Sequence, residues 1–445
     1  MDIIFDNIQS PKLLVVGEII LDVNIIGTYT RIADESPVPI FKETSRSYHL
    51  GGASNVFNNL STLNCELLTF MTPIGDDEYT PIIKKLLISH NVIYIPFKGK
   101  NHVKTRYFAD NILLYRADID EKIVIDSMES IIPNDNKYDF FIVSDYNKGF
   151  LTTRFIEKLK ESNVKIIVDP KNEIEKYNNC YLIKPNQKEY EKYDLNHESN
   201  TINNCQISII TKGSEGIFVC EKDKKPFTVC YKSCDKSCDT TGCGDIVLAV
   251  ISYLIGSAHI PLKDIVDLSC FLATQSINKI GCQLINYLEL ITYASVKKSK
   301  LLHKKDLQYF KNINNVIFTN GCFDIFHHGH LKLLNFAKAQ GDILIVGLNS
   351  DDSIKRLKGN ERPINKLETR KELLQSLDIV DFIIVYDDDT PFDILKLLSP
   401  NTIVKGSDYT ESEIIGREFA QNVKLFQLDQ TISTTKIVNK VLFGL

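Results

Sequence analysis

The sequence lacks the features of a membrane or secreted protein. No stretch offers about 18 uninterrupted apolar residues, which a membrane-spanning helix would need. The N-terminus (MDIIFDNIQSPKLLVVGE) has no basic flank followed by a long apolar run, so it is not typical of a secretory signal. The 11 cysteines are scattered along the chain, as is usual for reduced thiols. We therefore expect a cytoplasmic protein without a membrane partner.

Neither sign of charge dominates. The 52 Lys and Arg residues against 57 Asp and Glu residues give a net charge of -5. This balance does not favour a nucleic-acid partner, which would require an excess of positive charge. Hydrophobic residues make up 43% and charged residues 24% of the chain, which is typical of a globular enzyme. A chain of 445 residues is too long for one core, so we expect two or three domains.

The cysteines do not show the usual spacing of a metal site. Cys230, Cys234 and Cys238 follow a CxxxCxxxC pattern, with Cys243 beyond them. A zinc site more often combines a CxxC pair with a matching second pair. We therefore interpret these residues as ordinary thiols.

Short apolar runs recur in the first two thirds of the chain, and each ends in a small or acidic residue. Helical patterns such as Thr152–Ser162 separate several of these runs. The alternation predicts a mostly parallel β-sheet covered by helices, whose ligands bind beyond the carboxyl ends of the strands. The runs are Leu13–Gly17, Phe140–Val143, Val164–Val168 and Ile207–Ile210.

The same pattern starts again in the last third. A strand at Val316–Thr319 leads through a glycine turn to a helix at Leu331–Gln340 and a strand at Ile343–Leu348. The preceding segment, Lys297–Asn315, is rich in Lys and Asn, which predicts a solvated helix or linker. We place the domains at 1–298 and 313–445, with a linker at 299–312.

The string DTTGCGD, Asp239–Asp245, precedes an apolar stretch of helical length that ends at Gly256. Gly242 and Gly244 would let backbone N–H groups converge on an anion at the start of this helix. A phosphoryl group needs such donors during transfer, and a carboxylate beside it, Asp245, can take the proton of an attacking hydroxyl. An acidic N-cap on a core helix is the alternative interpretation.

The string resembles the signature of the ribokinase-like (PfkB) carbohydrate kinases. This resemblance implies a three-layer α/β domain with a small β lid, with Asp245 as the base. It also implies that the amides of Gly242, Cys243 and Gly244 bind the anion. Cys243 replaces the usual alanine, and Glu18 stands where aspartate is more frequent. Further pieces follow in the family's order, namely Gly17–Asp22, Gly51–Asn55, Lys184–Glu189 and Thr211–Gly213.

The resemblance implies ligand contacts residue by residue. Asn186 and Glu189 would act near Mg²⁺ and the phosphates of ATP. The sugar would contact Asp22, Gly51, Gly52 and Asn55, and the nucleotide would contact Thr211, Lys212 and Gly213.

A narrower resemblance concerns the sugar. The strings SDYNKG (144–149), DPK (169–171) and RIADESPVPI (31–40) are similar to those of heptose-7-phosphate kinases. Arg106, in the stretch that would form the lid, and Lys148, at a strand end, suit a substrate that already carries a phosphate. Surface solvation is the alternative for each cation. We place Asp145 with them at the sugar.

A second site is built on FTNGCFDIFHHGH, residues 318–330. His327 and His330 are three residues apart near a predicted helix start, so both can face one side. The helix dipole disfavours imidazolium there. Neutral imidazoles can donate hydrogen bonds to a triphosphate and share charge as pyrophosphate leaves. A metal pair and core histidines are the alternatives, but no third metal ligand has a suitable spacing, and three histidines in four residues are rare for a core.

This string resembles the HxGH motif of the cytidylyltransferase-like nucleotidyltransferases, which implies a Rossmann-like domain. No residue is an evident nucleophile, which agrees with direct attack of a sugar phosphate on the α-phosphorus. The nucleotide and phosphate contacts implied by the resemblance are Thr319, Asn320, Gly321, Phe323, Lys405, Ser433, Thr434 and Thr435.

Residues 349–365 (NSDDSIKRLKGNERPIN) are most similar to heptose-1-phosphate adenylyltransferases. The order of kinase then transferase implies a bifunctional enzyme of ADP-heptose biosynthesis, which feeds the lipopolysaccharide core. ATP in both halves, Mg²⁺ and a homodimer follow by analogy. The ISTTK segment also occurs in CTP-dependent enzymes, so another sugar kinase fused to a cytidylyltransferase stays open. An inactive sensor would lack Asp245 or a motif histidine, and all three are present.

Overall fold

A computed structural model of the chain divides it into two compact units between residues 286 and 287. Among the helices of the described residues, none combines the length and apolarity needed to cross a membrane. The structure describes residues 10–109, 112–125, 137–192, 201–230, 242–256, 260–276, 284–287, 289–290, 300–311, 313, 315–407, 410 and 413–427.

Thirteen strands of the first unit lie within these residues. They are β1 (Lys12–Gly17), β2 (Ile19–Ile32), β3 (Pro39–Gly52), β4 (Leu67–Ile74), β5 (Val92–Pro96), β6 (His102–Ala109), β7 (Ile112–Ile119), β8 (Phe140–Ser144), β9 (Lys165–Asp169), β10 (Leu182–Ile183), β11 (Ile207–Thr211), β12 (Ile217–Glu221) and β13 (Phe227–Val229).

The helices described in this unit connect the strands. They are α1 (Ala53–Ser61), α2 (Thr80–Leu86), α3 (Thr153–Lys160), α4 (Gln187–Lys192), α5 (Cys243–Gly256) and α6 (Leu262–Ser276), with 3₁₀ turns at Ile174–Tyr177, Ile202–Asn204 and Gly213–Glu215.

Nine strands form the main sheet, in the order β13-β12-β11-β10-β9-β8-β1-β4-β5. All neighbours from β11 to β5 pair in parallel, and the pairs β11–β12 and β12–β13 are antiparallel. Four consecutive residues of β1, Leu13–Val16, are fully buried. Such continuous apolar runs are expected in a sheet that helices cover on both faces. The predicted mostly parallel sheet is confirmed.

The connections of this sheet reverse direction at β1. The chain moves from β1 to β4 on one side and later to β8 on the other, where Gly17 lies opposite Ser144. Ligands of open α/β sheets bind at such a switch point. The residues that follow β1 and β8, from Glu18 and from Asp145 onward, therefore lie at the edge where a site is expected.

A second, four-stranded sheet has the order β3-β2-β6-β7. Strands β2 and β3 form a long antiparallel pair in which Ile19 lies opposite Gly52, so the sheet begins directly at the switch point. Successive side chains of a strand point to opposite faces. One face of this sheet carries polar and charged residues on β2, β6 and β7, and we refer to the sheet as the lid.

The second unit has its own sheet, in the order β14-β17-β16-β15-β18-β19. Every neighbouring pair is parallel, and β15 is the switch point because β16 and β18 flank it. The described elements are β14 (Leu301–Leu302), β15 (Val316–Gly321), β16 (Ile343–Asn349), β17 (Phe382–Tyr386), β18 (Thr402–Gly406), β19 (Asn422–Phe426), α7 (His328–Lys338), α8 (Asp351–Lys358), α9 (Leu367–Gln375), α10 (Phe392–Leu398) and 3₁₀ turns at Lys304–Phe310 and Arg417–Phe419.

Residues 301–310 differ from the solvated linker that the sequence predicted. Leu302 in β14 pairs with Ile384, and the side chains of Leu307 and Phe310 are fully buried. The Phe310 ring packs edge-to-face on Phe382. The lysines of this segment face outward while its apolar residues complete the core, so composition alone misled the prediction. The α/β class predicted for both units is confirmed by these sheets.

Candidate active sites

The Asp245 carboxylate receives hydrogen bonds from two distant parts of the chain. The Asn55 side-chain nitrogen, in the first turn of α1, lies 3.0 Å from one carboxylate oxygen. The Tyr146 hydroxyl, in the loop after β8, lies 3.2 Å from the other. Asp245 is 8% exposed. Burial raises the pKa of Asp245, and the hydrogen bonds from Asn55 and Tyr146 oppose that rise.

Glu18 holds the loop that carries Tyr146. Its carboxylate is fully buried and accepts hydrogen bonds from the backbone N–H groups of Tyr146 (3.0 Å) and Lys148 (3.3 Å). Burial first, and then the neighbouring Asp145 carboxylate, raise the pKa of Glu18 to about 7. The longer side chain at position 18 thus serves the loop, so the sequence departure noted for Glu18 has a structural purpose.

Asp145 does not face the sugar side that the sequence predicted for it. Its side chain is closed from solvent and forms a 2.8 Å ion pair with Lys176. It also accepts hydrogen bonds from the Tyr177 hydroxyl (2.6 Å) and the Asn147 amide (2.7 Å). With both oxygens occupied inside the protein, Asp145 anchors the loop and is not available to a substrate.

The start of α5 lies beside a buried cation. The helix begins at Cys243, so Gly242 precedes it and Gly244 belongs to its first turn. A side chain at Gly244 would meet the Lys184 ammonium, which lies 3.6 Å from the position of the missing Cβ. Lys184 also pairs with Asp169 at 2.9 Å. Backbone amides, the helix dipole and an ammonium group therefore converge where an anion would bind.

Asn186 and Glu189 cap each other at the start of α4. The Glu189 amide donates to the Asn186 side-chain oxygen, and the Asn186 amide donates to the Glu189 carboxylate, both at 2.9 Å. The other Glu189 oxygen pairs with Lys171 at 3.1 Å. Asn186 also bridges Thr211 at the end of β11, so the structure brings these predicted nucleotide residues to one sheet edge.

The turn after β11 follows directly from Thr211. The Lys212 amide donates to the Gly216 carbonyl, and its ammonium lies 5.1 Å from the centre of the Phe218 ring. Gly213 has φ +58°, a conformation that favours glycine, and no atom lies within 4 Å of its missing Cβ. The turn therefore presents open backbone at the same edge of the sheet.

Two of the predicted sugar residues, Asp22 and Arg106, form a salt bridge on the lid. Asp22 on β2 lies 2.5 Å from Arg106 on β6. A side chain at Gly51 would collide with the Asp22 carboxylate, which explains the glycine there. Gly52 adopts φ +67°, and a side chain there would collide with the Glu18 carbonyl. Sequence reasoning therefore identified residues that lie together but could not show that Arg106 already has a carboxylate partner.

The two motif histidines of the second unit stack on each other. Their ring centres are 3.9 Å apart with an interplanar angle of 17°. His327 Nδ1 accepts a hydrogen bond from the Gly329 amide (3.1 Å), and His330 Nδ1 faces the His327 amide at 3.4 Å. A ring whose Nδ1 accepts must carry its proton on Nε2 when neutral. Both Nε2 atoms are therefore donors.

Burial keeps these imidazoles uncharged. Burial lowers the pKa of His327. The pKa of His330 falls to about 4, first because of burial and then because His327 and Lys358 lie near. Phe323 and Phe326 pack against the His330 ring. The pair can thus donate hydrogen bonds to an anion without itself becoming charged near neutral pH.

Two polar side chains at the end of β15 keep unsatisfied atoms. Within the described residues, the Thr319 hydroxyl and the Asn320 side-chain oxygen are buried and have no hydrogen-bond partner. The nitrogen of Asn320 donates to the Tyr386 hydroxyl at 2.7 Å. Buried polar atoms normally have partners, so these two atoms mark a place where a ligand could supply the missing donor or acceptor.

Arg370 joins the loops around this site and was not identified from the sequence. Its fully buried guanidinium donates to the carbonyls of Cys322 (2.8 Å), Asn349 (2.8 Å) and Asn365 (3.0 Å). It also pairs with Asp351 at 2.7 Å. Sequence offers one signal, an arginine within an otherwise polar helix, and that signal does not distinguish a buried arginine from an exposed one.

Some of the remaining predicted residues are described by the structure, and the others are not. Gly321 ends β15, and Lys405 lies in β18 beside the switch point. Cys230 donates only a long hydrogen bond, to the Ser214 carbonyl. Ser433, Thr434, Thr435, Asp239–Thr241, Cys234 and Cys238 lie outside the described residues.

Both units match known families. Residues 10–287 match the pfkB family of carbohydrate kinases, and residues 318–440 match the cytidylyltransferase-like family. The chain is thus a transferase with two activities, a carbohydrate kinase followed by a nucleotidyltransferase. It belongs to the family of bifunctional HldE proteins, which it resembles along almost its whole length, and it acts on small sugar substrates with a nucleotide in each half.

Three relatives illustrate the extent of this similarity. The bifunctional protein HldE of Sulfurimonas denitrificans is 36% identical, with 97% of each chain covered. Those of Campylobacter jejuni and Aliarcobacter butzleri are 34% and 32% identical, each aligned over 97% of this chain and 98% of the relative. Each alignment therefore spans both of the family matches of this chain.

Two solved structures share the fold of the first unit. Phosphofructokinase-2 from Escherichia coli in complex with potassium is 16% identical, with a TM-score of 0.51. The same enzyme in complex with substrates and products is 15% identical, with a TM-score of 0.50. Each covers about two thirds of this chain (65% and 64%) and 99% of its own.

Proposed function

We propose that the chain catalyses two steps of ADP-heptose biosynthesis. The first half phosphorylates D-glycero-D-manno-heptose 7-phosphate at O1 with ATP, giving the 1,7-bisphosphate. After a separate phosphatase removes the 7-phosphate, the second half joins heptose 1-phosphate to the adenylyl group of ATP and releases pyrophosphate. The observation that carries the choice of sugar is the SDYNKG loop, which resembles heptose-7-phosphate kinases and supplies Tyr146 to Asp245.

In the first half Asp245 acts as the general base. It takes the proton of the sugar O1 hydroxyl as that oxygen attacks the γ-phosphorus of ATP, and ADP leaves with the electrons of the broken bond. A pKa raised by burial makes the carboxylate a better proton acceptor. Asn55 and Tyr146 fix both of its oxygens, so the base is oriented before the sugar arrives.

The transferring phosphoryl group is bound at the start of α5. Gly242, Cys243 and Gly244 lie at the N-terminal end of α5, where the first backbone amides of a helix have no partner within it, and the Lys184 ammonium lies 3.6 Å from the position of the missing Cβ of Gly244. Charge on the phosphoryl oxygens is spread during transfer, so fixed donors around it lower the barrier. Asp169 holds Lys184 in place through their ion pair.

The nucleotide extends along the edge formed by Asn186, Glu189 and the turn from Thr211 to Gly213. Mg²⁺ in such sites keeps several waters and takes few protein ligands besides the phosphates. The donor set fits that mode because Asn186 and Glu189 already cap each other and Lys171 occupies the second Glu189 oxygen. Asn186 and Glu189 would hold the ion, which would supply neutralisation of the phosphate charge.

In the second half the two histidines stabilise the departing pyrophosphate. A phosphate oxygen of heptose 1-phosphate attacks the α-phosphorus of ATP in line with the leaving group. The Nε2–H groups of His327 and His330 donate to the triphosphate as negative charge develops on the leaving oxygens. Thr319, Asn320, Gly321, Phe323 and Lys405 surround the nucleotide.

A product assay by mass spectrometry tests the whole proposal. The full chain is incubated with ATP and heptose 7-phosphate, with and without the phosphatase. We expect heptose 1,7-bisphosphate without it and ADP-heptose with it. A parallel assay offers ATP or CTP together with heptose 1-phosphate. Strict use of CTP in that assay would show instead that the second half is a cytidylyltransferase.

The assembly and location of the protein are further parts of this proposal. The apolar residues Ile112, Leu113 and Tyr115 on the last lid strand are exposed by 49–65%, and a second copy of the chain would cover them in a homodimer. We place the enzyme in the cytoplasm, where ATP and sugar phosphates are available. The kinase half ends near 298, and the strand–helix pattern that carries the transferase motif begins after residue 313, behind the packed segment 301–310.

A further inference from the structure

The charged face of the lid holds more cations than carboxylates. Three of its basic groups have an acidic partner. Arg106 pairs with Asp22, Arg116 with Asp118, and Lys148 of the adjoining loop with Asp120. The fourth is Lys104, whose ammonium group forms no ion pair or hydrogen bond within the described part of the chain. The cluster of Lys104, Arg106, Arg116 and Lys148 therefore keeps one positive charge uncompensated.

The strand register explains why Lys104 has no partner. Lys104 on β6 lies directly opposite Asp22 on β2 and Asp118 on β7. Such directly opposed side chains usually interact. Asp22, however, is turned along the strand to Arg106, and Asp118 to Arg116. The two acids that could neutralise Lys104 therefore pair instead with Arg106 and Arg116, which occupy the next positions on the same face of the sheet.

Lys104 is also only partly exposed, so water does not fully solvate its ammonium group. Burial lowers the pKa of Lys104, and the nearby Arg116 and Lys148 charges lower it further, while Asp22 and Asp118 raise it. An unpaired, partly buried cation is costly unless an anion compensates it. Asp22 and Asp118 compensate this charge only at a distance, since both pair directly with arginines, so the position suits an anionic group of a ligand.

The surroundings of Lys104 connect it to the sugar side of the kinase site. Lys148 follows Tyr146 by two residues, and Tyr146 contacts Asp245. Asp22 closely approaches Gly51, which precedes α1 and Asn55. On the same lid face as Asp22, the Asn24 side-chain oxygen is buried and has no hydrogen-bond partner within the described residues. A sugar hydroxyl would satisfy it.

We propose that Lys104 binds the phosphate monoester that the sugar substrate already carries, and so selects phosphorylated over unphosphorylated sugars. This inference rests on the proposed heptose 7-phosphate kinase function and refines it. Arg106 and Lys148, which the sequence favoured for this phosphate, are held by Asp22 and Asp120 and shape the site around Lys104.

The test compares Lys104→Met with the wild-type full chain. Kinase rates are measured with heptose 7-phosphate, and unphosphorylated heptose is followed as a substrate or as a competitive inhibitor. Loss of a charge-assisted phosphate contact should raise KM for heptose 7-phosphate about tenfold to a hundredfold with kcat little changed. Binding of unphosphorylated heptose should not change, and Lys104→Arg should recover part of the affinity.

Lys42→Met is the matched control, since Lys42 is an exposed lysine on lid strand β3, and it should behave as the wild type. An unaltered KM in Lys104→Met, or an equal loss for both sugars, would overturn the assignment of Lys104. If Lys104→Met does not fold, Lys104→Gln is judged by the same ratio of KM values. Failure of the wild type to phosphorylate heptose 7-phosphate would instead refute the proposed kinase function.

Discussion

The Tyr146 hydroxyl and the Asp245 carboxylate are 99 residues apart in sequence and 3.2 Å apart in space. Tyr146 comes from the loop after β8, and Asp245 from the first turn of α5. Glu18, which follows β1, fixes the backbone of that loop. The contact therefore forms only when the two central strands and the helix are assembled, and it ties the proposed base to the centre of the sheet.

Replacing the proposed base should separate the two activities. We expect Asp245→Asn to lower kcat of the kinase by about a hundredfold to ten-thousandfold, because an amide cannot take the sugar proton. Adenylyl transfer from ATP to heptose 1-phosphate should stay near the wild-type rate. The control is Asp264→Asn, an acidic residue at the same helical position in α6. Loss of both activities in a folded Asp245→Asn protein would contradict two independent sites.

Removing the Tyr146 hydroxyl should shift the pH dependence of the kinase. The hydrogen bond from Tyr146 stabilises the charged form of Asp245 and lowers its pKa. In Tyr146→Phe that pKa should rise, because the charged form loses a hydrogen bond. Because the base works only when deprotonated, the acidic limb of kcat/KM should move to higher pH.

Tyr138→Phe provides the comparison for this pH experiment. Its hydroxyl also donates a hydrogen bond of about the same length, to Thr69 at 3.0 Å, but away from Asp245. Its pH profile should match the wild type. A Tyr146→Phe profile that drops in amplitude without moving along the pH axis would show that Tyr146 supports the loop only.

The histidine pair should be neutral while the transferase works. With its pKa at about 4, the His330 imidazole is uncharged at neutral pH, and burial lowers the pKa of His327 as well. Nitrogen-15 NMR of the full chain at pH 7 should therefore show His330 uncharged, with its proton on Nε2. A protonated His330 signal at pH 7 would contradict this assignment.

Truncating His330 should damage only the second activity. We expect His330→Ala to lower the rate of adenylyl transfer about a hundredfold to a thousandfold, as for loss of one donor to a developing anion. Kinase activity should persist. His328→Ala is the matched control, because His328 is exposed on the same helical turn. Equal losses in the two variants would remove the special role given to His330.

Arg370 should matter for stability more than an exposed arginine does. Arg370→Met leaves three carbonyl groups and Asp351 without their donor, and we expect the free energy of unfolding of this unit to fall by about 3–5 kcal/mol. Arg356→Met, whose partners Asp387 and Asp389 are exposed, should change stability little. Chemical denaturation followed through transferase activity would measure both, and similar midpoints would contradict the structural role of Arg370.

The sequence predicted those features that depend on local pattern. The runs ending at Gly17, Ser144 and Thr211 are strands because their apolar residues are continuous and short. The helix after Gly242 was predicted from its apolar length and ends at Gly256 as expected. Each of these features can be read within a window of about fifteen residues.

Features that depend on distant partners could not be predicted in this way. Asp145 follows a strand end, as a ligand-binding residue would, but Lys176 and Tyr177 occupy it from another part of the chain. Lys184 belongs to the predicted motif Lys184–Glu189, yet only the fold places it beside Gly244. The unpaired charge of Lys104 could not be predicted either, because it depends on the register of the lid strands.

The lid and the proposed base belong to different elements of the first unit, because the lid is a sheet and Asp245 lies in helix α5. Within the described residues, the groups that hydrogen-bond to Asp245 or shift its pKa most come from α1, the loop after β8, Lys184 and Lys171, and these lie outside β2, β3, β6 and β7. The lid sequence can therefore diverge without disturbing the chemistry of phosphoryl transfer. Replacing the lid by one with a different charge pattern, while the nine-stranded sheet stays the same, would therefore change the sugar preference in one step, both in evolution and in engineering.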